Sequence, residues 1–210
     1  SISCDDLVLG GYDDWRLPSS HELTTVVNFA QTQPLIFSDF TNTQSDSYWT
    51  FDALVSFSDG YVTSGDSTSG AYVKCVRGDS SGYAEYMKND FLEEGNLIFA
   101  PIDFEASEII IWYYDDLAGT YSWENALSYC AGVTENGISN FRLPTINELH
   151  SLVDRSASNP AALVSSISPE KFWTSTTLSS NAEHSYVIDF SDGDVSSLAK
   201  TGAANVICVK

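Results

Sequence analysis

Positive charge is scarce in this chain: nine lysines and arginines among 210 residues, against 29 aspartates and glutamates, for a net charge of −20. The deficit is spread along the sequence, since residues 1–78 hold ten acids and three bases and the remainder holds 19 and six. Phosphate backbones are gripped by clustered Lys and Arg, so nucleic acid is excluded as a partner. Long apolar runs are missing too. The most apolar stretch, Ile109-Ile110-Ile111-Trp112, falls far short of the roughly 18 residues a membrane-spanning helix requires, so no transmembrane segment is expected. No Gly-x-Ser-x-Gly, His-Glu-x-x-His or phosphate-cradling glycine loop occurs, which leaves the chain without the usual tools of an enzyme. Cys-x-x-Cys spacing is also absent, which argues against a structural zinc site.

What is present is apolar material: 43% hydrophobic residues, with 5 Trp, 11 Tyr and 11 Phe, enough to fill a packed core. A duplication organises it. Trp15-Arg16-Leu17-Pro18-Ser19-Ser20-His21-Glu22-Leu23 matches Phe141-Arg142-Leu143-Pro144-Thr145-Ile146-Asn147-Glu148-Leu149 at an offset of 126. Cys4 and Cys130 share that offset, Tyr48-Trp49-Thr50 matches Phe172-Trp173-Thr174 at 124, and Phe57-Ser-Asp-Gly60 matches Phe190-Ser-Asp-Gly193 at 133. Val73-Lys-Cys75-Val-Arg77 matches Val206-Ile-Cys208-Val-Lys210, again at 133. Mapped back by 126, Ser1 falls on Leu127, so the first copy starts partway through its own helix, without the strand and Trp that precede it in the second. Two modules are expected, 1–78 and 96–210, with 79–95 as the linker.

Each copy holds one Cys early and one in its closing strand. Of the three pairings four cysteines allow, only Cys4–Cys75 with Cys130–Cys208 respects the repeat, and such bridges persist outside the cytoplasm. Ser19-x-x-Glu22 and Thr145-x-x-Glu148 have the form of capping boxes. The helices after them show apolar residues at helical spacing: Leu23, Val26, Val27 and Ala30 in one copy, Ile146, Leu149, Leu152 and Val153 in the other. Ser122 is an N-cap for a further helix carrying Trp123, Ala126, Leu127 and Cys130 on one face. Residues 96–101, 109–114, 186–190, 71–76 and 205–209 read as strands, with Asp192-Gly193 as a two-residue hairpin signal. The fold class expected is α+β, each module being about two helices on a small antiparallel sheet.

The ordered set Trp-x-x-Ala-x-x-x-Cys, Arg-Leu-Pro-Thr-x-x-Glu-Leu, Trp-Thr-Ser, Phe-x-Asp-Gly and Val-x-Cys-Val resembles the C-terminal domain family of bacterial collagen-like adhesins, the Lcl C-terminal domain. The resemblance implies tandem C-type-lectin-like modules in a secreted or surface-attached protein, with adhesion or glycan binding. Two departures qualify what carries over. Sulfated glycans demand positive charge that this chain lacks, and the Glu-Pro-Asn or Gln-Pro-Asp signature of calcium-dependent sugar binding is missing.

Candidate chemical residues are few. Glu22 and Glu148 are accounted for by the caps. His21, His150 and His184 have no partners in repeat register and are assigned surface polar roles. Asp13-Asp14 and Asp115-Asp116 would attract a cation such as calcium, but neither has EF-hand spacing, and no cofactor is expected. Trp49 and Trp173 recur and are read as core tryptophans or as a ligand platform. The variable segments 50–72 and 174–204 are the candidate binding loops. The leading reading is a non-enzymatic extracellular adhesion or recognition protein taking a glycan or protein ligand. The alternative is a subunit of an extracellular filament, sheath or surface layer, in which copies of the chain complete the truncated first module.

Overall fold

Both cysteine pairs close as the repeat requires: Cys4–Cys75 and Cys130–Cys208, with Cα–Cα distances of 5.7 and 5.4 Å. The computed structural model describes residues 4–31, 33–65, 70–78, 91–101, 109–115, 118–157 and 159–210. The chain divides into two compact units, Ser1–Gly82 and Tyr83–Lys210, each holding one bridge.

In the first unit a short 3-10 turn at Cys4–Asp6 leads to β1 (Trp15–Arg16), α1 (Ser20–Thr24), β2 (Ser47–Trp49), β3 (Leu54–Ser56), β4 (Val62–Thr63), β5 (Tyr72–Val73) and β6 (Val76–Arg77). β3 pairs antiparallel with β2 and β4, β5 runs parallel to β2, and β6 lies antiparallel to β1. The second unit contains β7 (Leu92–Glu94), β8 (Leu97–Pro101), β9 (Ile109–Tyr113), α2 (Trp123–Gly132), α3 (Ile146–His150), β10 (Lys171–Thr177), β11 (His184–Asp189), β12 (Asp194–Ala199) and β13 (Cys208–Val209). β10, β11 and β12 form one antiparallel meander, and β13, β9, β8 and β7 follow one another in a second antiparallel sheet.

The expected α+β class with two helices per module is therefore corrected: the regular structure among the described residues is mostly β, with three short α-helices, one in the first unit and two in the second. The helices begin where the capping boxes say, but α1 and α3 stop after five residues. Thr24, Thr25, Val26 and Val27 are β-branched and lose rotamer freedom in a helix, and one capped turn is too short to propagate unaided. Sheet-like pairing takes over instead. Val27 bridges Ile36 and Val153 bridges Ala162, so these two residues of the expected helical faces are buried against an extended chain, while Val26 is half-buried and Ala30 exposed. The hairpin at Asp192-Gly193 is longer than expected, since Asp189 pairs with Asp194 and four residues make the turn. Gly193 has φ +82°, and a Cβ there would lie 2.7 Å from Val153 Cγ1, so both backbone and space require glycine.

The two copies agree bond for bond around this frame. Leu35 N–H donates to Phe57 O and Ala161 N–H to Phe190 O; Phe57 N–H donates to Asp46 O and Phe190 N–H to Glu170 O. The parallel pairing of Tyr48 with Tyr72 is matched by the bridge between Phe172 and Asn205. Leu23, Val27, Tyr48, Val55 and Phe57 form a buried layer in one unit, as Leu149, Val153, Phe172, Ile188 and Phe190 do in the other.

Sequence separations of 71 and 78 residues make each bridge worth about 4 kcal/mol by loop-entropy arithmetic. Replacing Cys130 and Cys208 together by Ser should lower the unfolding free energy of the second unit by about that amount in urea titration. An unchanged midpoint would show that the bridge does not hold this unit.

Candidate functional site

The residues that recur between the copies are occupied by architecture. In the first unit Arg16 Nη1 and Nη2 donate to both carboxylate oxygens of Glu22 at 2.8 and 2.7 Å, while Glu22 Oε2 accepts the Ser19 N–H at 2.8 Å and the Glu22 N–H donates to Ser19 Oγ at 3.0 Å. In the second unit Arg142 grips Glu148 at 2.8 and 2.5 Å, and Thr145 closes the same box. The next helical amide is taken from across the unit: Ser20 N–H donates to Asp52 Oδ1 at 2.8 Å, and Ile146 N–H to Thr176 Oγ1 at 3.0 Å. The carbonyls of Pro18 and Pro144 accept the N–H of Phe51 and Ser175. These glutamates hold strand to helix through their arginine and cap bonds.

Trp173 is fully buried, with its indole N–H donated to Tyr121 O at 2.7 Å, so as a ligand platform it is ruled out by inaccessibility. Trp49 is half-buried beneath Gly65, where a Cβ would stand 2.8 Å from the ring. The histidines are not brought together. His21 sits in α1, His184 lies in β11 with Nδ1 3.5 Å from Ser197 Oγ, and His150 is only 3% exposed, against the surface role expected for it. Asp14 is paired with Arg77 at 2.6 and 3.0 Å, and Asp116 lies outside the described residues. Among the described residues no group of three His, Cys, Asp or Glu is placed to hold a metal ion.

The expected binding loops are also redrawn. Most of segment 174–204 is the β10–β12 meander rather than a loop, and in 50–72 residues 66–69 lie outside the described set. The asymmetry that matters stands just upstream. Eight of the nine exposed large apolar side chains among the described residues belong to the first unit. Two of them, Phe37 and Phe40 (47% and 42% exposed), line an open cavity of about 430 Å³ together with Gln31, Gln33, Pro34, Ile36, Ser38, Thr41, Asn42 and Thr43.

Local bonds shape this rim. Phe40 N–H donates to Phe37 O at 3.1 Å, Thr43 Oγ1 donates to Phe40 O at 3.0 Å, and Asn42 takes φ +64° in the turn between them. Gln33 Nε2 donates to Ser58 O at 3.1 Å, and the Gln44 N–H to Tyr48 Oη at 2.8 Å, tying the loop to the sheet. Lys74 Nζ lies 6.0 Å from the Phe40 ring centre and 5.6 Å from that of Tyr48, and its partial burial depresses its basicity. In the second unit the matching segment after Pro160 carries Leu163, Val164 and Ile167, all buried. The signal was legible: Pro34-Leu-Ile-Phe-Ser-Asp-Phe40 has two aromatics where Pro160-Ala-Ala-Leu-Val-Ser-Ser166 has none. Exposed aromatic rings beside amides and hydroxyls, with the Lys74 ammonium 6.0 Å from the Phe40 ring, suit a hydroxyl-rich ligand with apolar ring faces.

The capped ion pairs set the acid response. Hydrogen bonds from Arg16 hold the Glu22 carboxyl below its ordinary value near 4.5, against a smaller upward push from burial. For Glu148 burial pushes upward, but Arg142 and the Thr145 cap together outweigh it and the net direction is again down. A carboxyl whose folded value is depressed contributes stability above its unfolded pKa, and that contribution is lost as pH falls through the folded value. Unfolding free energy should therefore drop as pH falls below about 4.5, and Glu148→Gln should lower stability at pH 7 while flattening that acid slope. Equal slopes for wild type and variant in denaturant titrations across this range would contradict the assignment.

A family model described as the Lcl C-terminal domain matches residues 2–77 and again 105–210. No curated protein matches the chain. The two matched stretches fall on the two units and carry the same cap, tryptophan and bridge in the same order, so the chain belongs to the Lcl C-terminal domain family, as two tandem copies.

Proposed function

We propose that this chain is a non-enzymatic extracellular recognition module of a bacterial surface, and that its first copy binds a neutral glycan in the cavity rimmed by Phe37 and Phe40. Family membership suggests a surface-associated, adhesin-like module, and two disulfide bridges together with the absence of any described helix long and apolar enough to cross a membrane agree with an external location. The observation that carries the reading is the pair of aromatic faces left open to solvent above glutamine, asparagine and threonine side chains, in the copy where the matching segment could equally have been aliphatic and buried. Sugar rings offer such a site apolar C–H faces for the rings and hydroxyls for the amides. A net charge of −20 turns away sulfated chains, which selects neutral ones. The filament alternative draws on a separate feature, the apolar side chains Trp49, Leu54 and Val73 of the first unit, which are only partly buried.

Phe37 and Phe40 are exposed, so replacing them should spare the fold. On an array of neutral and sulfated glycans the wild-type chain should bind neutral members, and Phe37→Ala/Phe40→Ala should weaken that binding at least about tenfold, the loss of one or two stacking contacts. Binding confined to sulfated glycans, or binding indifferent to the double substitution, would sink the proposal.

A further inference from the structure

Three positions around the open rim change together between the copies. Phe40, Tyr48 and Lys74 in the first stand where Ser166, Phe172 and Ile207 stand in the second. Ile207 is fully buried, the ordinary place for an aliphatic side chain in a packed module. A lysine at the matching position brings a charge and three N–H donors to a face that the second copy fills with carbon.

Strand pairing fixes which face this is. β5 runs parallel to β2 with Tyr72 beside Tyr48 and Val73 beside Trp49, so alternation carries Tyr72 and Lys74 to the side of Tyr48. The Tyr48 and Tyr72 rings lie 5.4 Å apart, and Tyr48 meets Phe57 edge to face at 5.0 Å. Tyr48 and Phe57 are buried, as are Phe172 and Phe190 in the second unit. From this packed layer Lys74 reaches the rim, its Nζ 5.6 Å from the Tyr48 ring centre and 6.0 Å from that of Phe40.

The first unit holds three cations. Arg16 is paired with Glu22 and Arg77 with Asp14, whereas Lys74 has no carboxylate partner among the described residues. Burial alone moves its basicity, downward, and no acid opposes that shift. Aromatic faces attract the charge, but they leave the N–H donors to be met by oxygen atoms. A sugar ring in contact with an aromatic face stands about 4 Å from it, and the four-carbon stem of lysine lets the ammonium adjust. Hydroxyls on a sugar packed against Phe40 therefore come within reach of an ammonium 6.0 Å from the ring centre.

We propose that Lys74 determines the specificity of this rim, its ammonium donating hydrogen bonds to hydroxyl oxygens of the sugar whose apolar face packs on Phe40. The inference rests on the Phe37 and Phe40 cavity being the glycan site, and it adds the polar contact that orients the ligand there. Aromatic contact accepts any sugar with an apolar C–H face, whereas a donor held at one point selects those whose hydroxyls meet it.

Ile207 occupies the equivalent position in the second copy, so Lys74→Ile should keep the frame intact. On an array of neutral glycans, the full chain carrying Lys74→Ile should bind at least about tenfold more weakly than wild type. Lys74→Arg, which keeps the donors, should stay within about threefold of wild type, and neither variant should lower the urea midpoint. Undiminished binding by Lys74→Ile overturns the inference. An equal loss in Lys74→Arg, or a loss that comes with a lowered midpoint, overturns it too, because shape or stability would then be the cause. The parent reading fails separately: wild type that binds no neutral glycan removes the site itself. Wild type that binds, and loses binding with Phe37→Ala/Phe40→Ala but not with Lys74→Ile, removes only the role of Lys74.

Discussion

The frame of each copy hangs on an arginine whose two ends do different work. The guanidinium of Arg142 holds Glu148 at the start of α3, and Glu148 in turn holds the Thr145 amide, so three groups are fixed by one carboxylate. The backbone of the same Arg142 pairs with Val209, the neighbour of Cys208, which is bridged to Cys130 at the foot of α2. Helix, closing strand and disulfide thus meet through a single residue. Arg16 repeats the arrangement with Glu22, Val76 and the Cys4–Cys75 bridge. Lysine would not serve here, because a point charge cannot engage both carboxylate oxygens in a fixed plane.

That constraint explains why recurrence in this chain does not mark function. A residue that appears twice, Glu22 with Glu148 or Trp49 with Trp173, is placed by what the module needs in order to close. The residues free to differ are those whose surroundings the frame does not dictate. Between the shared cis X-Pro bonds, Gln33-Pro34 and Asn159-Pro160, and the shared aromatic-Trp pairs, one copy spends its segment on buried aliphatics and the other on exposed phenylalanines. The same backbone start leads to a core patch in one place and an open rim in the other.

Local chemistry was the most legible part of the sequence. Capping boxes and the cysteine pairing follow from spacing alone, and the strands expected at 96–101, 109–114 and 186–190 stand at 97–101, 109–113 and 184–189, because each depends on residues close together or on the repeat. Helix length did not, because Leu152 and Val153 have helical spacing and become buried by another route, Val153 bridging Ala162 and the Leu152 carbonyl accepting from Leu163. Periodicity reports that a residue will be buried, and over so short a run it cannot report by what. Likewise the alternation in 171–199 was partly read as variable loop, since Ser and Thr facing outward look like linker composition until Ser185 and Thr174 are seen buried, bonded to backbone carbonyls of neighbouring strands. The cavity at Phe37 and Phe40 was visible as an aromatic difference between copies, but its openness depends on Asn42 turning the chain with a positive φ.

The comparison of copies also bears on how a half-covered core can belong to a folded module. In the first unit the layer formed by Leu23, Val27, Tyr48, Val55 and Phe57 is buried to the same degree as in the second, and both layers are tied by equivalent backbone bonds through Leu35 and Ala161. On the other face of the second unit, Leu97, Tyr113 and Ala126 close a buried cluster with Trp173, Val187 and Val206, which is additional to that layer and is not a condition for its packing. The Cys4–Cys75 bridge and the pairing with β1 hold the closing strand of the first unit in place. Among the described residues, the second unit carries a cover over this face, and the first unit leaves the equivalent residues half-buried. The copies therefore differ in two places, the face beside the closing strand and the segment after the shared proline, where Phe37 and Phe40 stand exposed and Leu163, Val164 and Ile167 are buried.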